Sequence, residues 1–209
     1  MNSTNREPCT LRKGKSGVRP RRVGRRRFVA TLLAALVSSA GTPLVSAQQN
    51  ASSEYQVKAA FLFHFAQFVE WPAGVFRDVD SPLTYCTMGE DLLSGALDQS
   101  LSGKTIGARS LRVQHLKPSQ QAQTCQVLFI GASETRKVSE IMASVSRRPI
   151  LTVGETEHFA ADGGVIGFVV EANKIRFEIN LEAAEKANLK ISARLLALAK
   201  TVIGNPKGN

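Results

Sequence analysis

The histidines and a few glycine-containing motifs are the residues of this sequence whose types and spacing could support chemistry. His64, His115 and His158 fall on different predicted elements, and no ligand-type residue stands at metal-binding spacing beside His64. Gly103-Lys104-Thr105 is similar to the end of a phosphate-binding loop. Asp98, however, replaces the first glycine, which must let backbone amides wrap the phosphates. These motifs predict no metal site and no cofactor site.

The remaining candidates for catalysis are equally incomplete. Gly131-Ala132-Ser133-Glu134-Thr135 approximates a nucleophile elbow but lacks the closing glycine. The carboxylates Glu155 and Glu157 are interpreted as ordinary solvated charges, because acid–base catalysis needs placed groups with separated pKa values. The sequence therefore predicts a protein that is not an enzyme.

The first 47 residues have the order of a secretory signal peptide. A basic segment precedes Phe28, an apolar run extends from Phe28 to Val37, and Val45-Ser46-Ala47 offers small residues for cleavage. We interpret residues 1–47 as a signal peptide and residues 48–209 as one periplasmic domain; a retained membrane anchor is the alternative. Gly24–Val29 approximates a twin-arginine signal. The general secretory route is nevertheless favoured, since nothing downstream suggests a cofactor inserted before export.

The leader accounts for most of the net charge of +10. Residues 1–47 contain ten of the 27 basic residues and one of the 17 acidic residues, which leaves 17 and 16 in the predicted mature chain. A net charge of +1 gives no electrostatic support for nucleic-acid binding, so that class of function is excluded.

An apolar segment from Glu54 to about Glu70 is predicted to form a buried core helix. Val57, Phe61, Phe65 and Phe68 recur at helical spacing. A helix that is apolar on nearly every side is normally enclosed by other elements, and this one is too short to span a bilayer. Ser53 and Gln56 fit a capping box at its start.

The rest of the mature chain predicts an α/β fold. It is a single domain with a mixed, mostly parallel sheet, helices on both faces and a C-terminal β-hairpin. The predicted elements are a strand at Cys125–Ile130, a helical piece near Glu155–Ala161, a hairpin at Val165–Val170 and Lys174–Ile179, and a final helix from Ser192 to about Val202.

Two cysteines remain after the predicted cleavage. An exported protein meets an oxidising compartment, so Cys86 and Cys125 favour one disulfide, and two buried free thiols are the alternative.

Several segments in order resemble the YfiR family of periplasmic regulators. They include Tyr55-Gln56-Val57-Lys58-Ala59-Ala60-Phe61-Leu62, the Phe68-Val69-Glu70-Trp71-Pro72 stretch, Ile150–Val153, Ile175–Leu181 and Ser192–Leu196. The resemblance covers residues 54–203 and implies a disulfide between Cys86 and Cys125. Some members have a second, C-terminal cysteine pair, which this sequence lacks after Cys125.

The resemblance implies a function as well as a fold. Characterised members bind the periplasmic part of an inner-membrane diguanylate cyclase and lower cyclic-di-GMP synthesis, with effects on biofilm formation. We therefore expect a non-enzymatic inhibitor that is able to form a homodimer and does not bind nucleic acid. A periplasmic small-molecule sensor that acts on another membrane protein, such as a histidine kinase, is the competing hypothesis.

A partner surface is predicted on the second strand of the hairpin. Arg176, Glu178 and Asn180 alternate with the apolar residues of this strand, and Phe168 is expected nearby. A plain solvated strand face is the alternative interpretation of this pattern.

Overall fold

The computed structural model describes residues 44–89, 92–117 and 122–204. Residues 1–43 of the predicted signal peptide lie outside these ranges. The helices are α1 (Leu44–Gln67), α2 (Leu92–Leu101), the 3₁₀ helix η1 (Ala132–Lys137), α3 (Val138–Val145), α4 (Leu181–Lys186) and α5 (Ala193–Leu196). The strands are β1 (Val69–Glu70), β2 (Leu83–Met88), β3 (Thr105–Ile106), β4 (Arg109–Leu116), β5 (Val127–Ile130), β6 (Leu151–Gly154), β7 (Ile166–Glu171), β8 (Lys174–Asn180), β9 (Lys190–Ile191) and β10 (Thr201–Ile203).

Eight strands form a mixed sheet in the order β10-β8-β7-β6-β5-β2-β4-β3. The five strands from β7 to β4 are mutually parallel, whereas β8 is antiparallel to β7 and β3 is antiparallel to β4. β1 and β9 form a separate antiparallel pair. The predicted α/β class, with a mostly parallel sheet and a C-terminal hairpin, is confirmed.

The sheet separates two apolar cores because successive strand residues point to opposite faces. In β5, Val127 and Phe129 join the core that contains α1 and α2. Leu128 and Ile130 join the second core, together with Ile141 and Val145 of α3. The compact apolar run that predicted β5 is therefore a strand that is buried on both sides.

The core helix starts earlier and ends earlier than predicted. α1 begins at Leu44 and passes through Ser53, so the expected capping box at Ser53 is wrong. At the other end, Val69 and Glu70 leave the helix and pair with Ile191 and Lys190 of β9. The prediction that this helix is buried in the core is confirmed, since Leu62 and Phe65 are fully buried.

The C-terminal helix is the largest error of the sequence prediction. α5 covers four residues, and the chain then extends into β10, which lies parallel to β8. The backbone N–H of Lys200 donates to the carbonyl of Phe177 at 2.8 Å, and the β-branched Thr201-Val202-Ile203 run suits a strand. The helical piece predicted near Glu155–Ala161 is also wrong, because this segment consists of a bend and turns.

The β7–β8 hairpin and the disulfide agree with expectation. Ala172 and Asn173 have φ values of 47° and 59°, the paired positive values that a two-residue hairpin turn requires. Cys86 of β2 is joined to Cys125, which precedes β5, with 5.8 Å between their Cα atoms. The cross-link therefore ties together neighbouring parallel strands at the centre of the sheet.

Candidate functional site: a groove between the first helix and the hairpin

Two of the four predicted partner-binding residues are buried, so the four cannot form one accessible surface. Phe168 lies directly opposite Phe177 in the hairpin, and directly opposed residues share a face of the sheet. Phe168 consequently points into the core, where it is 5% exposed and its ring centroid lies 5.7 Å from that of Phe65. The prediction that Phe168 lies beside the partner surface is corrected, since its side chain is on the opposite face of the sheet from Arg176 and Glu178.

Asn180 is buried for a different reason, because it starts the next helix. Its side-chain oxygen accepts a hydrogen bond from the backbone N–H of Ala183 at 2.9 Å, which caps α4. Its amide nitrogen donates to the carbonyl of Ala160 at 2.7 Å. Both ends of the side chain are occupied inside the molecule, which corrects its assignment to the partner surface.

Arg176 and Glu178 keep the positions that the alternating pattern predicted. Arg176 is exposed and Glu178 is half-buried, on the face opposite Phe177. No contact in the structure tests whether either residue binds a partner. Arg176 does border a groove, and that groove is the best candidate for a binding surface.

We call this feature the helix–hairpin groove. It has a volume of about 780 Å³ and lies between α1 and the tip of the β7–β8 hairpin. Its lining residues are Ser53, Glu54, Val57 and Phe61 from α1 and Val170, Asn173, Lys174, Ile175 and Arg176 from the hairpin.

The groove combines exposed apolar side chains with charged edges. Val57 is 45% exposed and Val170 is 60% exposed, and both belong to a small set of large apolar side chains left open to solvent among the described residues. Lys174 and Arg176 add positive charge from the hairpin, and Glu54 adds negative charge from α1. Apolar surface that is rimmed by polar groups is typical of protein interaction sites.

A buried ion pair fixes α1 beside this groove. Lys58 is only 3% exposed, and its Nζ lies 2.5 Å from Glu155 Oε2 and 2.5 Å from Glu54 Oε1. The other oxygen of Glu155 accepts hydrogen bonds from the backbone N–H of Ala132 at 3.0 Å and from Tyr55 Oη at 3.4 Å. We call these groups the Lys58–Glu155 network.

The pKa values of Lys58 and Tyr55 are both raised in this network. Burial by itself lowers the pKa of Lys58, but the hydrogen bonds and charges of Glu155 and Glu54 outweigh burial and raise it. Burial and the Glu155 charge raise the pKa of Tyr55. The lysine is therefore held charged and the tyrosine neutral, which suits a structural anchor better than a proton-transfer site.

The sequence interpretation overlooked this network. The sequence predicts a solvated charge at Glu155, whereas its side chain is only 9% exposed. Glu157 is exposed, as expected. Lys58 itself was the available signal, because a lysine within an otherwise apolar core helix must find a buried partner. The sequence could not identify that partner, which lies 97 residues further along the chain.

The network lies at the carboxyl ends of the parallel strands, where α/β sheets usually bind ligands. The chain passes from β2 through α2 to β4 on one side, and β5 lies on the other side of β2. Such a reversal of strand order creates a crevice. Here Glu155, which directly follows β6, already binds the backbone N–H of Ala132 after β5.

A second polar chain brings together a hydroxyl, an imidazole and a carboxylate. His115 Nδ1 lies 3.0 Å from Thr87 Oγ1, and His115 Nε2 lies 3.2 Å from Asp98 Oδ2. In a hydrolase triad the hydroxyl is accessible and the carboxylate is buried. Here Thr87 is buried and Asp98 is exposed, so the arrangement does not present a nucleophile to a substrate.

The other sequence motifs also have structural roles. His64 is exposed and its Nδ1 lies 3.0 Å from Gln67 Oε1. Lys104, from the incomplete phosphate-loop motif, lies over the ring of Phe63 with its Nζ 4.6 Å from the centroid. No group of three potential metal ligands occurs among the residues that the structure describes.

A separate cavity of about 490 Å³ lies beside Trp71, between the β1 loop and the α4–β9 segment. Glu70 and Lys190 contribute opposite charges to its lining. The indole N–H of Trp71 is buried and has no hydrogen-bond partner among the described residues. A buried donor without a partner is unusual in a folded protein. The volume of the cavity is within the range of small-molecule pockets, which makes it a second candidate binding site.

Taken together, the fold and these surfaces define an α/β binding protein that has an accessible groove and no assembled catalytic centre in its described residues. Comparison with known protein families then assigns the chain to one of them. The YfiR/HmsC-like family matches residues 55–200, which is more than half of the chain, and the protein belongs to that family.

Family membership supports a general role. The YfiR/HmsC-like proteins are periplasmic and act as regulators of diguanylate cyclase signalling, not as catalysts. Within the described residues, no helix combines the length and apolar character needed to cross a membrane.

Solved structures show more distant similarity. A conserved domain protein from Vibrio cholerae O1 biovar El Tor aligns with a TM-score of 0.47 at 10% identity, over 57% of this chain and 54% of that one. The ABC domain in complex with L-Trp from Streptococcus pneumonia aligns with a TM-score of 0.44 at 9% identity, over 58% of this chain and 55% of that one. The alignments span about half of each of those chains.

Proposed function

We propose that this protein binds and inhibits an inner-membrane diguanylate cyclase through the helix–hairpin groove, and so lowers cyclic-di-GMP synthesis. The family supports a regulator of this signalling system. The observation that carries the choice of surface is the pair of solvent-exposed valines, Val57 and Val170, that meet in one groove.

The chemistry of the groove specifies the kind of segment that it accepts. Val57, Phe61, Val170 and Ile175 offer an apolar floor to one or two large apolar side chains. Lys174 and Arg176 stand on the hairpin side, so an acidic residue beside those apolar side chains would be favoured. The occupant that we propose is such a segment in the periplasmic part of the cyclase.

The Lys58–Glu155 network supports this role by holding the groove in shape. Glu54 lines the groove and also binds Lys58, which is bound in turn to Glu155 at the sheet edge. One wall of the groove is therefore fixed to the central sheet before a partner arrives. A preformed surface avoids the entropy loss of ordering a helix on binding.

The test is capture of the partner with the full chain. The protein, tagged at its C-terminus, is isolated from a detergent-solubilised cell envelope, and bound proteins are identified by mass spectrometry. We expect a membrane protein with a cyclase domain. Deletion of the gene for this protein should raise cellular cyclic-di-GMP and biofilm formation.

Aspartate substitutions locate the surface. Val57→Asp and Val170→Asp should each reduce recovery of the cyclase on the order of tenfold or more, because a carboxylate cannot be buried unpaired in an apolar contact. Val79→Asp is the matched control, since Val79 is 82% exposed and lies outside the groove. Equal recovery with all three folded variants would reject the groove, whereas absence of any cyclase would reject the inhibitor function itself.

A second candidate function is a periplasmic small-molecule sensor that acts on another membrane protein, such as a histidine kinase. The Trp71 cavity favours it, because its volume of about 490 Å³ suits a small molecule and charged side chains line it. A ligand that binds only the folded state raises the melting temperature saturably. Amino acids and nucleotides are the first panel, and Ala73→Trp, at an exposed lining position, should abolish any rise that depends on this cavity.

Self-association is a further part of the proposal, and light scattering of the purified protein measures it directly. If the measured mass is that of one chain at every micromolar protein concentration, the homodimer is not part of the proposed mechanism.

A further inference from the structure

A cavity at the carboxyl end of α3 has the features of an anion-binding site and lies apart from both the groove and Trp71. It has a volume of about 250 Å³ and is enclosed by the end of α3, the start of β6 and the side of α4. Since a water molecule occupies roughly 30 Å³ of liquid, the space corresponds to about eight waters. This is the size of a small organic molecule of about ten non-hydrogen atoms.

The floor of this α3 cavity is apolar. Val145, Ile150, Val165, Ala183 and Ala187 line it, and each of these residues is buried. A ligand that places a small hydrocarbon group on this floor would gain the free energy of removing apolar surface from water. The floor therefore favours a ligand with an apolar body.

The mouth of the cavity is positively charged. Arg147, Arg148 and Lys186 line it together with one acid, Asp162, so the lining has a net charge of +2. None of these three cations forms an ion pair with any residue in the described part of the chain. Arginine and lysine side chains that line one opening provide the hydrogen-bond donors and positive charge that a carboxylate needs.

The backbone at Arg147 adds an independent observation. Arg147 has φ 60°, in the left-handed region, at the position after the α3 C-cap where glycine is the usual residue. The favourable interaction of cations with a helix C-terminus accounts for positive charge near α3. It does not explain why Lys186 of a different helix lines the same opening.

We propose that the α3 cavity binds a small organic carboxylate, with the hydrocarbon body on the apolar floor and the carboxylate between Arg147, Arg148 and Lys186. This site is independent of the proposed cyclase inhibition. It could be present whether the membrane partner is a cyclase or not.

Three probes of graded chemistry test the proposal by calorimetric titration of the purified full-length protein. Phenylacetate has the required size, charge and apolar ring. Phenylacetamide has the same shape without the charge, and acetate has the charge without the ring. We expect saturable binding of phenylacetate that is at least about tenfold tighter than that of either other probe.

Arg147→Gly separates binding from folding. It removes one cation and also relieves the left-handed backbone, so phenylacetate should bind about tenfold more weakly while the melting temperature does not fall. Ala143→Phe, at an exposed lining position, should block the mouth. Arg112→Gln is the matched control, because Arg112 is exposed on β4 outside the cavity.

The proposal predicts that the backbone amide signals perturbed by phenylacetate fall within residues 142–152, 162–165 and 183–187. Three results would overturn it: equal binding of phenylacetate and phenylacetamide, equal binding of phenylacetate and acetate, or unchanged affinity in both Arg147→Gly and Ala143→Phe.

Discussion

At the scale of single residues, substitution of the buried Lys58 should lower the stability of the protein strongly. Lys58→Met leaves the nearly buried Glu155 carboxylate without its cation, which should lower the free energy of unfolding by about 3–5 kcal/mol. Urea denaturation measures the change. Because the penalty comes from the unpaired charge, Lys58→Met/Glu155→Gln should recover much of the loss.

Glu54→Gln is the control for this cycle. Glu54 also contacts Lys58, but its side chain is 36% exposed, so water can replace the lysine and the loss should stay within about 1 kcal/mol. The contrary outcome concerns the double variant Lys58→Met/Glu155→Gln. If its loss of stability equals the sum of the losses in Lys58→Met and Glu155→Gln, Lys58 and Glu155 are not coupled.

The same residues predict how stability depends on pH. The pKa of Lys58 is raised above its usual 10.5, and burial raises the pKa of Tyr85, whose hydroxyl has no partner among the described residues, above its usual 10.0. For both groups the folded state holds the proton more tightly than the unfolded state. Their stabilisation is therefore complete below about pH 10 and is lost as the pH rises further.

Thermal melts at pH 8 to 11 test this prediction. Tyr85→Phe retains the ring in the core and removes the ionisable group, so it should reduce the loss of stability above pH 10. An unchanged alkaline transition in this variant would assign the transition to other groups.

At the scale of elements, the disulfide fastens β2 to the segment before β5. The 39-residue separation of Cys86 and Cys125 implies a stabilisation of about 4 kcal/mol in the chain-entropy model. Cys86→Ala/Cys125→Ala should lower the free energy of unfolding by up to that amount and remove the effect of reductant on the unfolding curve. The wild-type protein should respond to reductant, and equal curves with and without it would contradict a stabilising cross-link.

Local sequence patterns predicted the elements unevenly. The predictions of β5 and of the hairpin are confirmed, because each is an apolar or β-branched run bounded by turn residues. The sequence predicts α5 and β10 as one helix because Leu195, Leu196 and Leu198 suit one face of a helix. The pairing of β10 with β8 is a contact across the molecule, and propensity alone could not reveal it.

At the scale of the whole molecule, the predicted cleavage of a signal peptide after Ala47 would change where α1 begins. The described helix includes Ala47, so cleavage there would leave a helix that starts at or after Gln48. Mass spectrometry of the protein from the periplasm should show a chain that begins near Gln48. Arg25→Lys/Arg26→Lys should leave export unchanged if the general secretory route is used, and blocked export would identify the twin-arginine route.

The α/β class, the family resemblance and the general role that it implies can be predicted from the amino-acid sequence, which also favours a disulfide between Cys86 and Cys125. These follow from local patterns and from motifs in a fixed order, which do not depend on knowing distant contacts. It also indicated a charged strand face at Arg176 and Glu178.

Which residues can form a site depends on contacts that are visible only in the folded protein. Asn180 alternates with the apolar residues of its strand and Phe168 belongs to the neighbouring strand, as a surface patch would require. Hairpin pairing nevertheless buries Phe168, and helix capping buries Asn180. Packing on one sheet brings the other pairs together. Lys58 contacts Glu155, Val57 and Val170 line one groove, and Arg147 and Lys186 line one cavity. Side chains separated by dozens of residues become neighbours through packing, and a linear pattern does not encode such distances.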